Sequence, residues 1–177
     1  DPEVINQPSF HSTNSVHYLG WYMATFGVRL FPNYLFIVEA PGKLGPLKKI
    51  LKSDYILHAT GGAITNIGLE EASVETAGQQ LRPQYKLLAN GEQTLNVILA
   101  EGPRVDKIYL ATDDDNVGEA IAWHLLHATQ QRAPELMHKF ERVALRAITE
   151  EAVFEALDDA RPIDQSKVSA EIAREVI

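Results

Sequence analysis

The sequence predicts an α/β domain with a mainly parallel sheet flanked by helices. Three observations point there. Apolar runs of strand length recur at 34–38, 55–60, 107–112 and 142–148, with helical segments between them. Two of these runs end in carboxylates, which suits a sheet whose active crevice lies beyond the carboxyl ends of its strands. The length of 177 residues suits one domain with a short appendage.

The elements follow in chain order. Asp1 to Asn14 is rich in Pro, Ser, Asn and Thr and reads as a loop or tail. Val16 to Leu30 is apolar but broken by Gly20 and Gly27, and its periodicity does not separate helix from hairpin. The first 34 residues hold seven of the chain's fourteen aromatics and no lysine, so residues 1–33 are read as an aromatic-rich extension that covers the domain or meets a partner or a second copy. The domain proper is read as 34–177. Tyr34 to Val38 is a short apolar run ending in Glu39, fit for a buried strand. Leu44 to Lys52 predicts a helix, Tyr55 to Thr60 a second strand, and Gly61-Gly62 a turn. Leu69 to Pro83 is ambiguous. Tyr85 to Ala89 is read as a strand and Gln93 to Glu101 as a helix ended by Gly102-Pro103. Lys107 to Thr112 is a strand, and Glu119 to Gln130 a helix with Ala122, Leu125, Leu126 and Thr129 on one face. Arg142 to Ile148 reads as a strand, and Glu150 to Leu157 and Gln165 to Ile177 as helices.

Composition removes several function classes. Hydrophobic residues make up 45% and charged residues 23%, an ordinary globular balance. The net charge is −8, which excludes a wholesale basic coat for nucleic acid but leaves room for a local patch. Without cysteine there are no disulfides, thiolate zinc sites, iron–sulfur clusters or cysteine nucleophile, and six scattered histidines do not suggest an imidazole metal site. No run of 18 uncharged apolar residues is present, so no spanning helix and no membrane partner are expected. A start at Asp1 and an end inside a helical pattern read as a trimmed or excised piece.

Chemistry concentrates at two strand ends. The first run delivers Glu39, followed by Pro41-Gly42-Lys43. The run at 107–112 delivers Asp113, Asp114 and Asp115, then Gly118 and Glu119. Adjacent parallel strands bring these groups to one sheet edge, where clustered carboxylates repel unless something offsets the charge. A hard divalent cation such as Mg²⁺ does so, taking one or two carboxylates plus water and phosphate oxygens. Two-residue alternation turns Asp113 and Asp115 to one side of an extended chain and Asp114 to the other. The competing reading is that the acids cap the following helix, whose free N–H groups and dipole favour them. The window 43–60 is the net-positive stretch, with Lys43, Lys48, Lys49 and Lys52. Lys48 and Lys52 share a helix face, to be read as phosphate contacts or as a solvated surface. Arg142, Arg146 and Arg174 are further phosphate-ligand candidates, with surface ion pairs as the alternative.

Residues 37–43 (IVEAPGK) and 112–126 (TDDDNVGEAIAWHLL) resemble the Toprim domain of type IA DNA topoisomerases. That family has a strand ending in V-E-S/A-P-x-K, then T-D-x-D-R-E-G-E-A-I-A-W-H. HATGGAIT (58–65), RVALRAIT (142–149) and VSAEIAREVI (168–177) resemble three further family segments, in family order, so the resemblance covers about 34–177. It implies a Toprim, Rossmann-like fold. Glu39 would be the acid beside the scissile phosphate and Lys43 a point cation on phosphate charge. Asp113 and Asp115 would bind Mg²⁺, and Lys43, Lys48, Arg146 and Arg174 would contact DNA, single-stranded and weakly held. A cytoplasmic location is expected, nucleoid-associated if the source is bacterial.

The departures fall on polar positions. The third acid of D-x-D-x-E is Val117 and the Arg before it is Asn116. The His of G-H-I is Ala63, the Glu of E-I-T is Ala147, and the second Arg of the last segment is Glu175. The apolar frame persists, so a kept fold with relaxed chemistry and weak Mg²⁺ affinity is expected. The family carries its tyrosine nucleophile on a later domain, and this chain shows no equivalent, so the isolated chain is expected to be inactive in strand cleavage. Two other readings stand beside this one: a non-catalytic Toprim-like module for protein or nucleic-acid binding, and a stand-alone Toprim nuclease. Val117 counts against the nuclease.

Overall fold

The computed structural model describes residues 32–68 and 84–176. The ambiguous stretch 69–83 and nearly all of the aromatic extension at 1–33 lie outside the described residues.

Four parallel strands form the central sheet: β1 (Tyr34–Val38), β2 (Tyr55–Ala59), β5 (Lys107–Leu110) and β6 (Phe140–Arg142), in the order β2-β1-β5-β6. Register is simple: Tyr34 lies opposite Tyr55 on one side and Lys107 on the other. β3 (Thr65–Gly68) and β4 (Gln84–Leu87) pair separately and antiparallel. The helices are α1 (Leu44–Leu51), α2 (Ala89–Glu101), α3 (Asn116–Arg132), α4 (Glu150–Asp158) and α5 (Gln165–Val176).

The unbroken apolar run of β1 is explained by burial on both sheet faces. Leu35 and Ile37 point into one cluster with Ile98 of α2 and Ile121 and Leu125 of α3. Phe36 and Val38 point into the other, with Leu47 and Leu51 of α1 and Val153 of α4. Period-two alternation along one strand therefore feeds two cores. Helix α5 packs on α3.

The α/β architecture is the one the sequence predicts, with differences at element ends. α3 begins at Asn116 rather than Glu119, because the Asp115 side chain caps it. That puts Val117 in the first helical turn, half-buried and packed against the first core cluster. α2 begins at Ala89, four residues earlier than expected, and β3 lies between the Gly61-Gly62 turn and the ambiguous stretch, where the sequence assigns no element. The last strand is shorter and earlier than the predicted 142–148. Its backbone still tracks β5, with Val143 N–H donating to Leu110 O at 3.0 Å and Leu145 N–H to Thr112 O at 3.3 Å. The Arg142 guanidinium adds further hydrogen bonds to the same carbonyls of Leu110 and Thr112, alongside the backbone ones.

Candidate functional site

Glu39 follows directly from β1, and Asp113 lies three residues past β5, so the neighbouring strands bring both to one edge of the sheet. After Glu39 the chain makes a tight 3₁₀ turn, Pro41–Lys43, with proline at its start, and the turn delivers Lys43 back over that edge. The Lys43 ammonium pairs with the Asp113 carboxylate. Burial raises the Glu39 carboxyl above its ordinary value, and the charges of Asp113 and Asp115 push it further, against the pull of Lys43. Glu39, Lys43, Asp113 and Asp115 are thus one electrostatic unit.

Asp115 accepts from Gly118 N–H at 2.7 Å and caps α3. The cap and the site are the same residue, so the two readings of the acidic triplet are not exclusive. Thr112 Oγ1 donates to Gly118 O at 2.6 Å, which ties the helix start to the strand end. The close approach requires glycine: a Cβ at position 118 would stand 2.8 Å from Asp113 N and closer still to Asp113 O. Across the sheet edge, Gly61 and Gly62 turn the chain after β2 with φ of +79° and +110°, backbone that suits glycine.

Asp114 lines the same cleft as Asp113 and Asp115 but has ion-pair partners of its own. Arg146 Nε donates to it at 2.8 Å, Lys167 Nζ donates at 2.8 Å, and an Arg161 nitrogen lies 3.9 Å away. The hydrogen bonds of Lys167 and Arg146 hold its carboxyl down at about 2. Lys43, Asp113, Asp114, Asp115, Leu145, Arg146, Ala147 and Ile148 line an open cleft of about 420 Å³.

Beneath this surface lies a buried ion network. Arg142 and Glu119 are both fully buried and paired at 3.0 Å. Arg142 also donates to the carbonyls of Leu110, Thr112, Asp113 and Val143, so it holds the backbone beneath the acidic triplet. Glu119 further accepts from Arg161 at 2.8 Å and from Asp164 N–H at 2.6 Å. Burial disfavours its charge, but the Arg161 and Asp164 bonds and the Arg142 charge outweigh it, and its carboxyl is held below the ordinary value.

The sequence-derived candidates divide accordingly. Glu39, Lys43, Asp113 and Asp115 act on one another electrostatically. Lys43, Asp113, Asp115 and Arg146, whose side chain is 81% exposed, line the cleft, and Glu39 is not among its lining residues. Lys48 is exposed on α1, outside the cleft lining, and Arg174 pairs with Glu171 along α5. Arg142 is neither a surface ion pair nor a phosphate ligand; it is a buried framework residue. Glu119 is taken by two arginines and is no substitute for the acid missing at 117. Sequence reasoning passed over Lys167 and Arg161, whose partners lie 53 and 42 residues away, beyond any local pattern.

The donor set suits a hard cation, being carboxylate oxygen throughout. Among the described residues no three acidic or imidazole side chains converge as a cage. Asp113 and Asp115 are the carboxylates that would hold such a cation, and in this structure Asp113 is paired with Lys43 while Asp115 caps α3.

A family model described as the Toprim domain matches residues 34–148. The chain is 32% identical over 147 residues to a DNA topoisomerase 1 of Xylella fastidiosa, covering 82% of this chain and 18% of the relative. It is 34% identical over 143 residues to a plasmid DNA topoisomerase I of the same species, covering 81% and 20%. A DNA topoisomerase 1 of Mycolicibacterium smegmatis is 30% identical over 156 residues, with coverage of 81% and 16%. The solved structure of full-length topoisomerase I from Thermotoga maritima superposes with a TM-score of 0.63 at 26% identity, covering 80% of this chain and 23% of that one. The chain thus spans about a fifth of the length of these proteins. A match that opens on the first residue of β1 and closes in the loop after β6 takes in the whole parallel sheet and both acidic strand ends, and by it this chain belongs to the Toprim domain family.

Proposed function

We propose that this chain is the phosphate-handling domain of a type IA-like DNA topoisomerase, holding single-stranded DNA and Mg²⁺ weakly in the cleft beyond β1 and β5. The observation that carries the reading is the convergence of Glu39, Lys43, Asp113 and Asp115 at one sheet edge. In this reading Glu39 exchanges a proton with the sugar oxygen at the scissile phosphate, which its raised pKa suits. Lys43, paired with Asp113 here, is the compact ammonium that would offset phosphate charge. Asp113 and Asp115 would hold Mg²⁺, which would supply further charge neutralisation at phosphate oxygens. Arg146 contacts the backbone from the cleft wall, with Lys48 and Arg174 as outlying contacts.

The tyrosine nucleophile belongs to a region beyond this domain, so the chain alone binds but does not cleave. Tyr34, Tyr55 and Tyr109 support this: their rings cluster with centroids 4.8 to 6.3 Å apart, and burial pushes the Tyr109 hydroxyl up to about 12. A DNA ligand implies a location with the chromosome, in cytoplasm or nucleoid. None of the described helices is long and apolar enough to cross a membrane.

The test is a Mg²⁺ titration followed by amide NMR, with and without a short oligothymidine. Shifts centred on Glu39, Asp113 and Asp115, with affinity on the order of 1 mM, are expected from a two-carboxylate hydrated site. Tight binding centred elsewhere sinks the assignment. Lys43→Ala combined with Lys48→Ala is expected to weaken oligothymidine binding, and unchanged affinity would remove this surface from the interface.

A further inference from the structure

The cations beside the cleft do not face an empty surface; a carboxylate of the chain itself already engages them. Arg146 and Lys167 each donate a 2.8 Å hydrogen bond to Asp114, one to each of its oxygens. Arg161 stands 3.9 Å from the Lys167-bound oxygen but is committed elsewhere, to Glu119 and to the Pro162 carbonyl. Asp114 therefore sits in a three-cation cradle, its side chain only 18% exposed. A carboxylate with two oxygens each taking a cationic donor presents the same pattern as two non-bridging oxygens of a phosphate.

The cradle is built to release. Arg146 reaches Asp114 from a fully solvated position, and Lys167 is about one-third exposed on α5. Exposed pairs of this kind are individually weak. Glu155 of α4 and Asp159 just after it also act on Arg146, so the surroundings do not hold a surplus of positive charge that would draw in anions unaided. Asp114 and Arg146 both line the cleft, and Lys167 reaches Asp114 from outside that lining.

We propose that Asp114 is a built-in competitor for nucleic-acid phosphate, occupying an anion subsite formed by Arg146 and Lys167 until a backbone phosphate displaces it. This rests on the reading of the cleft as a DNA site and adds a device to it: affinity is held down by the chain's own carboxylate. The middle residue of the acidic triplet thereby differs in role from its two neighbours, gating phosphate rather than holding a cation.

The experiment compares the full chain with Asp114→Asn, Arg146→Ala/Lys167→Ala and the triple variant. Two probes are titrated, inorganic pyrophosphate by calorimetry and a labelled oligothymidine by fluorescence anisotropy, both without Mg²⁺. Asp54→Asn, an exposed acid just before β2 at the other end of the sheet, controls for net charge, and thermal melting confirms folding. Asp114→Asn is expected to tighten both probes roughly three- to tenfold, the worth of one or two exposed ion pairs. The salt dependence for oligothymidine should steepen by roughly 0.7 in log–log slope per cation freed. The gain should vanish in the triple variant and be absent from Asp54→Asn. Tighter pyrophosphate with unchanged oligothymidine keeps the subsite and overturns the DNA reading of the cleft. Unchanged or weaker pyrophosphate in Asp114→Asn overturns the inference, as does a gain that survives in the triple variant.

Discussion

Val117 and Gly118 are adjacent, yet substitutions at them should fail for opposite reasons. Gly118→Ala forces a methyl group against the Asp113 backbone, which cannot swing aside as a side chain would. A loss of roughly 1–3 kcal/mol, as for overpacked sites, is expected by urea denaturation, together with displaced Asp113 and Asp115 amide signals. An unshifted denaturation midpoint would mean the strand end yields. Val117→Glu instead places a carboxylate at the spacing of the missing acid, at the cost of an apolar contact with the core. Without metal the variant should melt lower than wild type, since a third acid joins Asp113 and Asp115. With about 10 mM Mg²⁺, well above a site of this ligand count, its melting temperature should rise more than that of wild type. Equal shifts would show that position 117 does not address the carboxylates. The pattern of acids was legible because it sits on one short stretch. Capping of the following helix by this stretch was legible as well; that Asp114 reaches α5 was not, because it depends on a partner 53 residues later.

Elements were legible in proportion to how local their causes are. β1 is a pure apolar run, and burial on both faces leaves its sequence little freedom. α3 was read three residues short because its capping residue also belongs to the acidic motif. β6 is shorter than its alternating run suggests: past Arg142 the backbone still bonds to β5 at Val143 and Leu145, but as single bonds and an isolated bridge rather than a continuous strand. The Arg142–Glu119 pair is the joint between α3 and β6, and Arg161 extends it toward α5. Replacing Glu119 by Gln leaves Arg142 charged and fully buried against a neutral partner. The expected loss is about 3–5 kcal/mol, the cost of breaking a buried pair. Urea denaturation measures it, and a loss below about 1 kcal/mol, the range of surface pairs, would show that water reaches the joint.

At the scale of the molecule, acid sensitivity should arise from a histidine far from the carboxylates. His124 on α3 is 6% exposed, packed between Tyr85 and Trp123, and burial lowers its pKa to about 4. The unfolded chain binds this proton near pH 6.5 and the folded chain does not until about pH 4. Stability is therefore full above pH 6.5 and falls as pH drops toward 4, by on the order of 3 kcal/mol at most. His124→Gln should flatten that segment of the stability curve in urea titrations across pH 4 to 7; an unchanged slope would assign the loss to other groups. One more property follows from the backbone bridge between Arg142 and Arg161, which exchange N–H and C=O groups antiparallel at 3.1 and 3.0 Å. An open strand margin is a template on which a stray chain can polymerise. Here the outer margin of β6 at Arg142 is already stitched to the domain's own backbone. The sheet therefore cannot be extended at that point by a neighbouring molecule unless this stitch first comes undone.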